Sequence, residues 1–153
     1  MTRTSARQLA LQLSFAASGG SDLSPEDFFD EEYFRALPAE DTLFSELPDE
    51  AQKQYICALV NGVRERAAEL DAIIEQYSQG WKLSRISRTA LSVLRCALYE
   101  ILYMPDIPPA AAINEAVELA KSYDEPETVS FINGILGSFM RSRERTPSDG
   151  KET

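Results

Sequence analysis

An all-α fold is predicted by three features of this sequence. Glycine is scarce, at seven of 153 residues. Apolar residues recur at steps of three and four through most of the chain, the period of one helix face, and do not alternate as in a strand. Helix formers (Ala, Leu, Glu, Gln, Arg) dominate, and turn-forming residues fall between the periodic stretches.

Each element follows in order. Leu9, Leu13 and Ala16, with Ala6, Ala10 and Ala17 beside them, predict a helix over residues 4–17, ended by Ser18-Gly19-Gly20-Ser21. Ser24 suits an N-cap and Pro25 a first helical position, opening a helix with Phe28, Phe29, Tyr33, Phe34 and Leu37 inward and Pro38 as its stop. Residues 39–48 read as a loop. From Pro48-Asp49-Glu50 the apolar period runs unbroken through Ile56, Leu59, Val60, Val63, Ala67, Leu70, Ile73, Ile74 and Tyr77, predicting one long helix to about residue 79 with Gly80 as C-cap. Residues 81–86 form a connector, with a short helical turn capped by Ser84.

The stretch 87–103 is apolar nearly all round, as a central bundle helix must be, except for Arg88, Ser92, Arg95 and Tyr99. Pro105, Pro108 and Pro109 break it. A helix over 109–123 follows, with Glu118 and Lys121 spaced for an ion pair. A last helix runs from Pro126 to about residue 142, with Ile132, Ile135, Leu136 and Phe139 inward. The expected organisation is one domain of two helical halves, 1–79 and 80–143, sharing a core, with a disordered tail at 144–153.

The net charge of −10 is local. Residues 18–50 hold eleven acids and one base, and the other 120 residues are neutral overall. Acid-free stretches with Arg3 and Arg7, and with Lys82, Arg85, Arg88 and Arg95, can therefore be basic surface. Arg141, Arg143 and Arg145 suit the negative end of a last helix. There is no His, which removes His general bases, His metal ligands and Ser-His-Asp triads. Cys57 and Cys96 read as small buried residues in a reduced compartment. No cofactor motif, zinc pair, membrane span or secretion signal is present, and no carboxylate cluster suggests an enzyme.

Several stretches together resemble the NusB family of bacterial transcription antitermination factors. They are Trp81-Lys82-Leu83 with Arg85-Ile86, Leu94-Arg95-Cys96-Ala97 with Tyr99-Glu100, Asp106-Ile107-Pro108, Ile113 to Lys121, and Phe131-Ile132-Asn133-Gly134-Ile135-Leu136. Ala6-Arg7 with Ala10 and Gln12 is similar to the family's opening helix. The resemblance implies a helical bundle of two packed halves, a cytoplasmic location and no catalysis. It implies pairing with NusE, a ribosomal protein, binding of single-stranded boxA-like RNA from ribosomal operons, and entry into the RNA polymerase elongation complex. Homodimerisation through exposed apolar residues such as Leu91 stays open.

Single-stranded RNA needs cations for phosphates and planar groups for bases. On the first helix Arg3, Arg7, Gln8 and Gln12 offer these, with Phe15 either stacking on a base or packing in the core. Lys82, Arg85 and Arg88 suit phosphates or NusE. Glu127, Ser130 and Phe131 occupy the start of the last helix, where the resemblance implies RNA contact. Arg95 is expected to pair structurally, with Glu115 or Glu118. Gly134 is expected to admit a neighbouring helix, with Asn133 bonding across the contact and Asn114 and Glu115 latching helices in the same way.

Family members often carry more bases at the start of the first helix, a base where Ser130 stands and Gly where Asp124 stands. The second reading is accordingly a NusE-binding module with weakened or lost RNA recognition.

Overall fold

A computed structural model describes residues 1–19, 24–28, 48–78 and 82–145. Among them every regular element is a helix: α1 (Arg3–Ser18), α2 (Pro25–Phe28), α3 (Glu50–Glu65), α4 (Ala67–Tyr77), a 3-10 turn (Leu83–Arg85), α5 (Arg88–Tyr103), α6 (Pro109–Tyr123) and α7 (Pro126–Arg145). The chain divides into two compact units, Met1–Arg66 and Ala67 onward. Gly80, the boundary expected from sequence, lies outside the described residues, as do most of the acidic segment, the later part of the second helix and the tail from 146.

In the first unit α1 packs on α3. Thr2 caps α1, its hydroxyl accepting from Ser5 N at 3.0 Å. Asp49 opens α3 with a reciprocal capping box. Its Oδ1 accepts from Gln52 N at 2.8 Å, while Gln52 Oε1 accepts from Asp49 N at 2.9 Å. Gln52 Nε2 also donates to the carbonyl of Met1, tying the start of α3 to the chain's first residue. Asn61 Nδ2 donates to Glu26 Oε2 at 3.1 Å and so links α3 to α2.

The long helix expected over 48–79 is two helices. Arg66 leaves helical geometry at φ −111° and ψ 19°, its N–H donating to the carbonyl of Gly62 at 3.0 Å, and α4 begins at the next residue. A break of one residue leaves the apolar spacing intact. Neither Gly nor Pro stands at the junction, so the pattern carries no sign of it.

In the second unit α5 is central, packed against α4, α6 and α7. Ala90, Val93, Leu94, Ala97, Leu98 and Ile101 are buried on it, against Ile132, Ile135 and Leu136 of α7 among others. Ser87 caps α5, accepting from Ala90 N at 3.1 Å. Ser84 lies inside the 3-10 turn, and Lys82 precedes that turn without a side-chain cap. A turn this short is closed by backbone bonds, Arg85 N to Lys82 O and Ile86 N to Leu83 O, and has no need of the serine.

Arg95 pairs structurally, but with Asp71 of α4 and not with Glu115 or Glu118. Nε and Nη2 reach the two carboxylate oxygens at 2.7 Å each, a two-pronged match. Glu118 instead meets Lys121 at 2.8 Å on the surface, as spaced. Cys96 is buried, whereas Cys57 is half-buried. Leu91 is half-buried.

The Arg95–Asp71 side chains are 15% and 22% exposed, so removing one partner leaves a poorly hydrated charge. Arg95→Met is expected to lower the unfolding free energy in urea by about 1–3 kcal/mol. Asp71→Asn with Arg95→Met should cost less than the two single losses summed. Strict additivity in that cycle would show the pair to be energetically idle.

Candidate nucleic-acid interface

The expected RNA-binding residues divide between the two units. In the first, Gln8, Gln12 and Phe15 follow at steps of four and three and share one side of α1. Gln12 is exposed, and Gln8 and Phe15 are half-buried. Arg3 is exposed, with its guanidinium carbon 5.2 Å from the centroid of the Tyr55 ring. Arg7 also meets that ring, at 5.9 Å, and is only 7% exposed. This corrects the expectation of a free phosphate ligand at Arg7. The residue lies on the packed arc of α1 with Ala6, Ala10 and Leu11, where its stem is covered and its charge sits against an aromatic ring.

In the second unit Lys82, Arg85 and Arg88 are all exposed around the 3-10 turn and the start of α5. Arg85, Ile86, Ser87 and Ala90 join Glu127, Thr128 and Phe131 of α7 around a cavity of about 200 Å³. The structure thus brings Arg85, Glu127 and Phe131 together. Phe131 also lines a second cavity of about 360 Å³, with Tyr77, Ser78, Ser130, Gly134, Ile135, Ser138 and Arg141.

Along α7, Glu127, Phe131, Gly134, Ser138 and Arg141 follow at steps of four, three, four and three, so they form one stripe. Only its first two residues were expected in the site. Its remainder continues the same helical period to Arg141, where sequence alone assigns the basic C-terminal run to the helix dipole.

Asn133 and Gly134 are exposed, and no described residue lies within 4 Å of where a Cβ on Gly134 would be. Among the described residues no neighbouring helix approaches there, which corrects the close-contact expectation. The inward period of α7 is carried by Ile132, Ile135 and Leu136, and Asn133-Gly134 falls between those positions. Asn114 is likewise exposed, and Glu115 is half-buried.

Asp124, at the turn between α6 and α7, borders this region. Its Oδ2 is buried and has no hydrogen-bond partner among the described residues. Desolvation pushes its carboxyl above the ordinary value of 3.8, adjacent Glu125 adds to the rise, and a hydrogen bond with the Ser87 side chain opposes it. Cys57 is pushed up to about 11, first by burial and then by the charge of Glu26, so its thiol stays protonated and unreactive near neutrality.

The architecture defines a class: a helical protein with no cluster of metal-ligating side chains among the described residues and with cavities lined by arginine, hydroxyl and aromatic groups. The NusB family model matches residues 4–141, and the chain belongs to that family. It is 40% identical over 140 residues to the transcription antitermination protein NusB of Alkaliphilus oremlandii, covering 92% of this chain and 94% of that one. It is 49% identical over 104 residues to that of Acetivibrio thermocellus, covering 68% and 71%. Among solved structures, T. maritima NusB superposes with a TM-score of 0.68 at 28% identity, covering 92% of each chain.

The raised carboxyl of Asp124 sets a pH dependence. The folded chain holds this proton more tightly than the unfolded one. The group therefore favours folding below the ordinary value and opposes it as pH rises through the raised one. Asp124→Asn is expected to raise the melting temperature near pH 7 and to lose that advantage near about pH 3. Equal shifts at both pH values would show that ionisation of Asp124 is not the cause.

Proposed function

We propose that the chain is a cytoplasmic transcription antitermination factor that binds boxA-like RNA of ribosomal operons together with NusE and joins the RNA polymerase elongation complex. The observation that carries this reading is the α7 stripe. It sets a half-buried aromatic ring, Phe131, between two cavities, one bordered by Arg85 and the other, the more polar, by Arg141. Cations for phosphates beside a planar group for a base are what a single strand requires. Membership of the NusB family and the names of the relatives support the same assignment. Among the described residues no helix is long and apolar enough to cross a membrane.

A second reading, a NusE-binding module with weakened RNA recognition, is favoured by the burial of Arg7 against Tyr55 and by a hydroxyl at Ser130. Each phosphate contact missing from the site lowers affinity and flattens its salt dependence.

Titrating labelled boxA-like RNA at two salt concentrations, with and without NusE, separates the two. Selective binding is expected, tighter with NusE. Arg3→Ala and Arg85→Ala should each flatten the log–log salt slope by about 0.7, the single-strand value for one phosphate. Arg7→Ala should weaken binding and also destabilise the fold. Recovery of NusE with no RNA would establish the second reading. Equal affinity for scrambled RNA at moderate salt would remove the first.

A further inference from the structure

Gly134 stands inside a 20-residue helix, where glycine is about 1 kcal/mol less favourable than alanine. Packing gives no reason for it, since among the described residues nothing would touch its Cβ. The residue instead forms part of the floor of the 360 Å³ cavity. Glycine keeps a backbone open where something must come close.

The groups around that floor are hydrogen-bond donors. Arg141 is exposed, and no carboxylate among the described residues pairs with it. Its Nη2 donates to Ser138 Oγ at 3.1 Å. Ser138, having accepted that bond, keeps its own proton to donate. Gly137 is also used: a Cβ there would lie 3.3 Å from Arg141 Nη1, so its absence lets the guanidinium fold back along α7 toward Ser138. Ser130 is exposed, with a hydroxyl that no described residue engages. The Ser78 hydroxyl is already committed, donating to the carbonyl of Glu75 at 3.1 Å. The fixed positive charge of Arg141, with the Ser138 hydroxyl proton beside it and an open floor at Gly134, matches an oxyanion.

We propose that this cavity seats one phosphate group of the bound RNA strand, with Arg141 as its cation, Ser138 as its hydroxyl donor and Gly134 as the cleared floor, while Ser130 stands at the far end of the cavity beside a neighbouring nucleotide. The assignment rests on the RNA-binding reading above and extends it. Phe131 borders both cavities, so a strand passing Arg85 and crossing Phe131 reaches Arg141 further along α7. From Ser130 to Ser138 the helix axis advances roughly 12 Å, room for more than one nucleotide contact.

The test uses the full chain and labelled boxA-like RNA over a range of salt. Arg141→Gln is expected to weaken binding about fourfold at roughly 0.15 M salt and to flatten the log–log slope by about 0.7. Arg141→Lys keeps the charge and should keep most of the slope. Gly134→Ala should melt at or above the wild-type temperature yet lose affinity comparably, because the added methyl intrudes only on the ligand. Arg64→Gln, the same charge change at an exposed site on α3, should leave binding unaltered.

If the wild-type chain binds RNA while Arg141→Gln and Gly134→Ala bind as tightly, the phosphate seat is wrong and the RNA reading stands. A loss at Arg141 without one at Gly134 places the cation's contact outside the cavity and also overturns the seat. So does an equal loss in Arg64→Gln. If the wild-type chain binds no RNA, the RNA reading fails and the seat falls with it.

Discussion

The second unit depends on one constraint: α5 is apolar over most of its circumference, so most of it must be covered. Three helices surround it, α4, α6 and α7. Arg95 is a charge that this packing partly covers, and the Asp71 carboxylate of α4 meets it with both oxygens. That pair fixes how α4 sits on α5. Tyr103 adds a second tie, donating from its hydroxyl to Glu69 of α4. With α4 and α5 held, the remaining apolar surface receives Ile132, Ile135, Leu136 and Phe139 of α7. The rotation of α7 about its own axis follows, and with it the outward direction of the stripe from Glu127 to Arg141. The Tyr77 and Phe139 rings, edge to face with centroids 5.9 Å apart, lock α4 to α7 beside the larger cavity. A partly buried charge pair thus helps set which polar residues are available at the surface.

Most of this fold was legible in the sequence because burial leaves a period. The helices over 109–123 and 87–103 stand where apolar spacing and proline placed them, and Ser87 caps the second of them. The break at Arg66 was illegible because a one-residue kink preserves the spacing on both sides. The partner of Arg95 was illegible for another reason. Which of several acids meets an arginine depends on how helices cross, and periodicity carries nothing about crossing.

The site was harder to read for a related reason. Sequence gives a residue's type and helical angle but not what covers it. Arg3 and Arg7 are equivalent by spacing and both lie over Tyr55, yet Arg7 stands on the packed arc of α1 and is buried while Arg3 is exposed. Gly134 misled in the opposite direction. Glycine within a helix suggests a neighbouring backbone, and here no described residue lies beside it. Arg85 and Phe131 come together only because the 3-10 turn lies against the start of α7, a proximity no local motif records.

The two arginines over Tyr55 have one more implication. A guanidinium resting on a π face keeps its full charge but loses much of its rotational freedom. An anion approaching Arg3 therefore encounters a side chain whose conformational entropy has already been surrendered to the fold, and the ordering cost that usually accompanies capture by a long flexible cation is reduced beforehand. One tyrosine on a neighbouring helix thus does for a surface cation what a rigid ring does for a designed ligand.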